Sequence, residues 1–152
     1  PVGKPAKLPP MRPILVFYCR RFYVSGKRFC VWAQETFKTP FLFFSRFFVD
    51  NYCPLQFIES SGRNRTPNQL RKDEKAVLLA ACDKALKRTI EYLKPRYVLG
   101  VGKFAFDRAR TAISDPAITV GGITHPSPAN PKANRGWDAL VRQEFKDLGI
   151  KL

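Results

Sequence analysis

The stretch from Tyr97 to Ile123 constrains the possible folds of this chain more than any other. Tyr97-Val98-Leu99-Gly100-Val101-Gly102 is a short apolar run ending in glycines, Phe104 to Ile113 has helical periodicity, and Ala117 to Ile123 is a second strand-like run. Strand, helix and strand at this spacing make a right-handed parallel crossover, which places the chain in the α/β class. In an open parallel sheet the working loops lie at the carboxyl ends of the strands. Asn51, Gly102 and His125 each fall just past a predicted strand end, an arrangement that brings them to one edge.

The flanking elements follow from caps and breakers. Thr66-Pro67-Asn68-Gln69 supplies an N-cap, a proline at the first helical position and a capping-box glutamine. From there Leu70, Val77, Leu78, Ala81, Ala85, Leu86, Ile90 and Leu93 recur at helical spacing until Lys94-Pro95 stops the helix. A last helix, capped by Asn134, sets Trp137, Leu140, Val141, Phe145 and Leu148 on one face. Earlier, Ile14 to Cys19 reads as a short strand and Arg28 to Phe37 as a short helix. The phenylalanine-rich run Phe41 to Asn51 reads as ending in a buried strand, Phe47-Phe48-Val49. Residues 1–13 carry five prolines and read as an extended leader, with residues 14–152 forming one domain.

Charge points to the partner. Lys and Arg number 27 against 12 Asp and Glu, a net of +15 in 152 residues, more than solubility needs and an invitation to a polyanion, nucleic acid first. The plainer alternative is a solvated basic surface. An anionic membrane fits less well, because no helix opposes a Lys/Arg face to bulky apolar residues, and a hydrophobic content of 45% excludes a disordered basic tail. Cys19, Cys30, Cys53 and Cys82 are far apart with a single histidine beside them, which argues against zinc and for reduced, mostly buried thiols. No metal or cofactor is expected. No apolar stretch approaches the roughly 20 residues of a membrane span and no signal peptide is visible, so the expected setting is intracellular, with the nucleus favoured by charge.

The one histidine sits in the densest run of unusual residues. Pro126, Pro128 and Pro131 forbid helix or inner sheet and make residues 124–137 a stiff, exposed loop. For chemistry near neutral pH, His125 is the first suspect. Gly100-x-Gly102 before a helix hints at phosphate binding, yet the full dinucleotide pattern and its acidic ribose ligand are missing, and close helix–sheet packing is the alternative.

Four segments carry a family resemblance. Asn51-Tyr52-Cys53-Pro54-Leu55, Ser61-Gly62-Arg63-Asn64-x-Thr66-Pro67, Val98-Leu99-Gly100-Val101-Gly102-Lys103 and His125-Pro126-Ser127-Pro128-x-Asn130-Pro131-x-Ala133-Asn134-x-Gly136-Trp137 agree in order and spacing. Together they resemble the single-strand-selective monofunctional uracil-DNA glycosylase family, from about Val49 to Leu148 and more faintly before. The resemblance implies a three-layer α/β sandwich with a short, mainly parallel central sheet flanked by helices. It also implies a monomeric base-excision repair enzyme that flips uracil and related oxidised pyrimidines out of single- and double-stranded DNA and hydrolyses the N-glycosidic bond.

It also assigns residues. Asn51 matches the family's base-reading asparagine: a fixed amide can donate to uracil O4 and accept from N3–H, whereas cytosine presents the reverse pattern. Against that, Asn51 could merely cap a strand. His125 matches the donor to uracil O2, where negative charge gathers as the base departs; the alternative is a loop histidine bonding backbone. Pro126, Ser127, Pro128, Ala129, Asn130, Lys132, Asn134 and Arg135 match the segment that enters the helix and holds the gap left by the flipped base. Arg63, Arg65 and Lys103 are further phosphate candidates, or else solvated surface.

The departures from the family are specific. The family's water-positioning Gly-Met-Asn-Pro-Gly motif and the following uracil-stacking aromatic residue are not in these 152 residues, so the expectation is a carboxyl portion lacking the first strand, with doubtful turnover by itself. Ala129 stands where the family places a wedge arginine, Asp50 where a histidine is usual, and Cys30 where a tryptophan is common. The contrasting class is a non-catalytic basic nucleic-acid-binding α/β domain. Such domains usually space exposed aromatics for base stacking, and no such signature is present.

Overall fold

The computed structural model describes residues 24–152, and the proposed strand Ile14–Cys19 and the leader 1–13 lie outside them. The described chain falls into two compact units, one formed by Cys53–Cys82 and the other by Val24–Tyr52 with Asp83–Leu152. Its elements in order are α1 (Val24–Phe37), α2 (Pro40–Phe44), β1 (Phe57–Ile58), β2 (Asn64–Arg65), α3 (Lys72–Leu93), β3 (Tyr97–Val101), α4 (Lys103–Ala112), β4 (Thr119–Ile123), α5 (Pro131–Asn134) and α6 (Trp137–Asp147). No helix among the described residues is long and apolar enough to cross a membrane.

The larger unit is α/β. Its strands β3 and β4 pair in parallel, in register from Tyr97 with Thr119 to Val101 with Ile123, and α4 makes the connection. The strand–helix–strand reading therefore holds. Gly100 explains how tightly α4 lies on the sheet: a Cβ there would stand 2.2 Å from the backbone nitrogen of Phe106. Gly100, the first of the glycine pair, thus serves close helix–sheet packing.

The core of this unit is aromatic. Trp32 and Phe37 of α1, Phe43 of α2, Ile123 of β4, Ala133 of α5 and Trp137, Val141 and Phe145 of α6 form one buried cluster. Trp32 lies 5.9 Å from Trp137 and 5.5 Å from Phe145, distances and tilts at which aromatic rings attract beyond their buried area. The α6 face expected from sequence is thus the one buried, although Asn134 does not cap it. Gly136 stands at that N-cap, while the Asn130 side chain accepts from Lys132 N–H and starts the short α5.

Three further expectations for this unit change. Residues 124–137 are not all loop: Pro131 takes the first position of α5, where its missing N–H is no loss. The helix read as Arg28–Phe37 begins at Val24. The strand Phe47-Phe48-Val49 does not form: Thr39 and Pro40 start α2 inside the phenylalanine run, and the chain leaves it through Arg46 and Phe47 N–H bonds to Phe43 O. Phe47 then stacks on Phe43 at 5.2 Å, while Phe48 and Val49 are exposed. A continuous apolar run fits helix and strand alike, and here the cap decides.

The smaller unit pairs β1 and β2 antiparallel and carries the first part of α3. The Thr66–Gln69 box closes one 3-10 turn over Pro67–Gln69, with Thr66 N–H donating to Gln69 Oε1 at 2.8 Å. Leu70 is then extended, and α3 starts only at Lys72, where Glu74 accepts from Arg71 N–H at 3.1 Å. The inward stripe of α3 is rotated from the sequence reading. Leu78, Cys82, Leu86 and Ile90 are buried or half-buried, whereas Val77, Ala81 and Ala85 are exposed.

Candidate functional site

His125 stands one residue beyond the last fixed point of β4. Thr124 before it is held at all three of its polar groups. Its N–H donates to Glu144 Oε2 at 2.8 Å, its hydroxyl donates to Glu144 Oε1 at 2.6 Å, and its carbonyl accepts from the Trp137 indole at 2.7 Å. The sheet ends beside it with Gly102 N–H donating to Ile123 O at 2.7 Å. Gly102 has φ +87, a backbone conformation that favours glycine, and a Cβ on it would lie a tight 3.0 Å from His125 Cβ. The carboxyl ends of β3 and β4 thus bring Gly102 and His125 together as expected for a parallel sheet.

The loop that follows builds itself from its own polar side chains. Ser127 N–H donates to His125 Nδ1 at 3.1 Å, so the neutral ring carries its proton on Nε2, the remaining edge. Asn130 Nδ2 donates to His125 O at 3.3 Å, Ser127 Oγ accepts from Ala129 N–H at 3.2 Å, and Asn134 Nδ2 donates to Pro128 O at 2.8 Å. Ser127, Asn130 and Asn134 therefore spend these groups inside the loop. Pro126 is buried; His125, Pro128, Ala129, Lys132 and Arg135 are exposed. The Lys132 and Arg135 side chains carry no hydrogen bond or ion pair within the described residues.

The other candidates are placed differently. Asn51 is exposed, on an irregular segment with no strand before it among the described residues, and its N–H donates to Asp50 Oδ1 at 2.8 Å. No hydrogen bond of the described residues joins it to His125. Lys103 pairs with Asp107 at 2.6 Å and Arg63, in the smaller unit, with Glu59 at 3.5 Å, both at the surface, where such pairs contribute at most about 1 kcal/mol. A concavity of about 760 Å³ lies between Ile90, Arg96, Ile113 and Ile118, at the amino ends of β3 and β4 and so at the opposite end of the strands from His125.

Sequence reasoning missed the cluster beside Asn51. Tyr52 hydroxyl donates to Asp83 Oδ1 at 2.7 Å, and Arg108 of α4 bonds both, through Nε to the phenol oxygen at 3.1 Å and through Nη2 to Asp83 Oδ2. Burial first, then the Asp83 carboxylate accepting its proton, pushes the Tyr52 phenol up to about 12. Phe104 packs edge-on against the ring at 5.6 Å. Tyr52 therefore ties the Asn51 segment to α3 and α4. Asp83 on the inward stripe of α3 was the available signal, since a lone acid among apolar positions calls for a cation.

No protein-family model matches the chain. Curated proteins do. The single-strand selective monofunctional uracil DNA glycosylase of Bos taurus is 41% identical over 152 residues, covering 99% of this chain and 56% of its own length. The Mus musculus protein of that name is likewise 41% identical over 152 residues, 99% of this chain and 54% of its own. That of Rattus norvegicus is 41% identical over 151 residues, 98% and 54%. The chain spans about half the length of the curated relatives it matches. Over that span it is similar, at 41% identity, to the single-strand selective monofunctional uracil-DNA glycosylases of three mammals.

Proposed function

We propose that this chain contributes to excision of uracil, and of related oxidised pyrimidines, from DNA in base-excision repair, and that His125 is its catalytic residue. The observation that carries this is the Ser127 N–H bond to His125 Nδ1 at 3.1 Å, which leaves the Nε2 edge of the ring to donate to a base. When the bond between N1 of uracil and C1′ of the sugar breaks, its electron pair passes to the base and collects on O2, and the sugar becomes cation-like. A fixed donor at O2 stabilises that state more than the ground state. Water then adds at C1′ and loses a proton, leaving free base and an abasic site.

Asn51 is the base-edge reader in this reading, with its segment tied down through Tyr52. The exposed tip, Pro128 and Ala129, fills the gap left by the flipped nucleotide, and Lys132 and Arg135 meet phosphates, with Lys103 and Arg63 as further phosphate candidates. Uracil-containing DNA, single- or double-stranded, is the substrate. The protein in this reading is a monomeric three-layer α/β sandwich working in the nucleus. The 41% identity to the bovine relative over the matched half and the +15 charge support this reading.

The test joins this chain to the unmatched part of the bovine relative and incubates the product with uracil-containing oligonucleotides. Alkali-labile sites at uracil are expected, and His125→Ala should lower turnover about 10²–10³-fold, the scale of one lost oxyanion donor, with DNA affinity retained. Turnover unchanged by His125→Ala would refute the role. DNA binding without cleavage by the joined protein would favour the non-catalytic alternative.

A further inference from the structure

We propose that Arg28 is a positioning residue for His125, acting through a single peptide plane. Arg28 reaches from α1 with two nitrogens: Nη1 donates to Pro126 O at 3.2 Å and Nη2 to Asn134 Oδ1 at 3.0 Å. The Pro126 carbonyl and the Ser127 N–H are opposite ends of one peptide group, which is planar and rigid. Fixing the carbonyl end therefore fixes the direction of the N–H that donates to His125 Nδ1 at 3.1 Å. The second nitrogen does the same for the loop tip. By holding Asn134 Oδ1 it sets the amide so that Nδ2 donates to Pro128 O at 2.8 Å.

A guanidinium suits this work and an ammonium does not. The two acceptors lie in different directions, and the planar fork supplies two donors at a fixed angle, whereas lysine offers one compact point of charge. The partners lie 98 and 106 residues away in sequence, so Arg28 makes the imidazole's orientation depend on α1. As a role in catalysis this rests on the functional reading above; as a statement about the loop it does not.

The test uses the 152-residue chain without DNA. His125 is its sole histidine, so two-bond proton–nitrogen NMR correlations of the imidazole belong to that ring alone. At about pH 8, above the usual imidazole range, the unaltered chain should show a pyridine-like Nδ1 and a pyrrole-like Nε2. Arg28→Met, which keeps the stem and removes the donors, should draw the two nitrogen shifts toward each other as the tautomers exchange, and speed amide exchange at Ser127. Arg28→Lys should give a smaller change in the same direction. Arg142→Met is the control, since Arg142 also bridges α6 to α1, through Thr36 Oγ1 at 2.9 Å, without touching the loop.

An unaltered imidazole pattern in Arg28→Met overturns the proposal, as does an equal change in the Arg142→Met control. Should Arg28→Met lose its native amide spectrum, Arg28→Lys decides by the same criterion. Failure of the joined protein to excise uracil would sink the functional reading and leave this measurement standing, so the two can fail separately.

Discussion

Asn51 carries the specificity of the proposed reaction, and its chemistry sets a sharp expectation. Its amide can satisfy uracil O4 and N3–H, but against cytosine it would bury a donor facing a donor and an acceptor facing an acceptor. Asn51→Asp replaces the NH₂ by an acceptor that cytosine N4–H can use. In the joined protein the preference for uracil over cytosine should then fall by roughly 10²-fold or more, measured as the ratio of cleavage rates on matched oligonucleotides; an undiminished preference would remove Asn51 from the base edge. Residues differ in how far the chain announces them. His125 is conspicuous because it is alone and set among prolines. Arg28, Glu144, Tyr52 and Arg108 are silent in sequence, because each acquires meaning only from a partner 20 to 106 residues away.

At the scale of elements, periodicity located the long helix, the parallel pair and the final helix, because each repeats its pattern long enough to be unambiguous. It failed where two local rules compete. In Phe41–Val49 the run of apolar residues satisfies helix and strand, and Thr39–Pro40 settles the matter through an N-cap bond from Leu42 N–H to Thr39 Oγ1 at 3.2 Å. On α3 the small residues Ala81 and Ala85 suggested an apolar stripe, but burial follows the larger side chains one position on. The glycine reading is open to measurement. Gly100→Ala drives a methyl group into the Phe106 backbone, at 2.2 Å from its nitrogen and 2.4 Å from its Cα. Helix α4 must then lift from β3, a cost of about 1–3 kcal/mol by the scale of overpacked cores. Urea unfolding should show a lower midpoint at unchanged slope; an unshifted midpoint would mean that α4 is not held by this contact.

For the whole molecule, charge sets the manner of association. With a net charge of +15, binding to DNA should release counterions, so log affinity should fall linearly with log salt. A footprint of about six phosphates would lose roughly 10³-fold between about 50 and 200 mM salt, readable by fluorescence anisotropy with a labelled oligonucleotide. A flat response would point to a protein partner instead. The aromatic core has an optical consequence. The chain has two tryptophans, both in that core with ring centres 5.9 Å apart, and the indole N–H of Trp137 holds the carbonyl of Thr124, the residue before His125. One strong chromophore therefore sits at the base of the loop, and the other packs against it in the interior. Their emission registers melting of the core and release of the loop as a single signal, and dye-free fluorescence on this chain is a direct gauge of whether the histidine still has its footing.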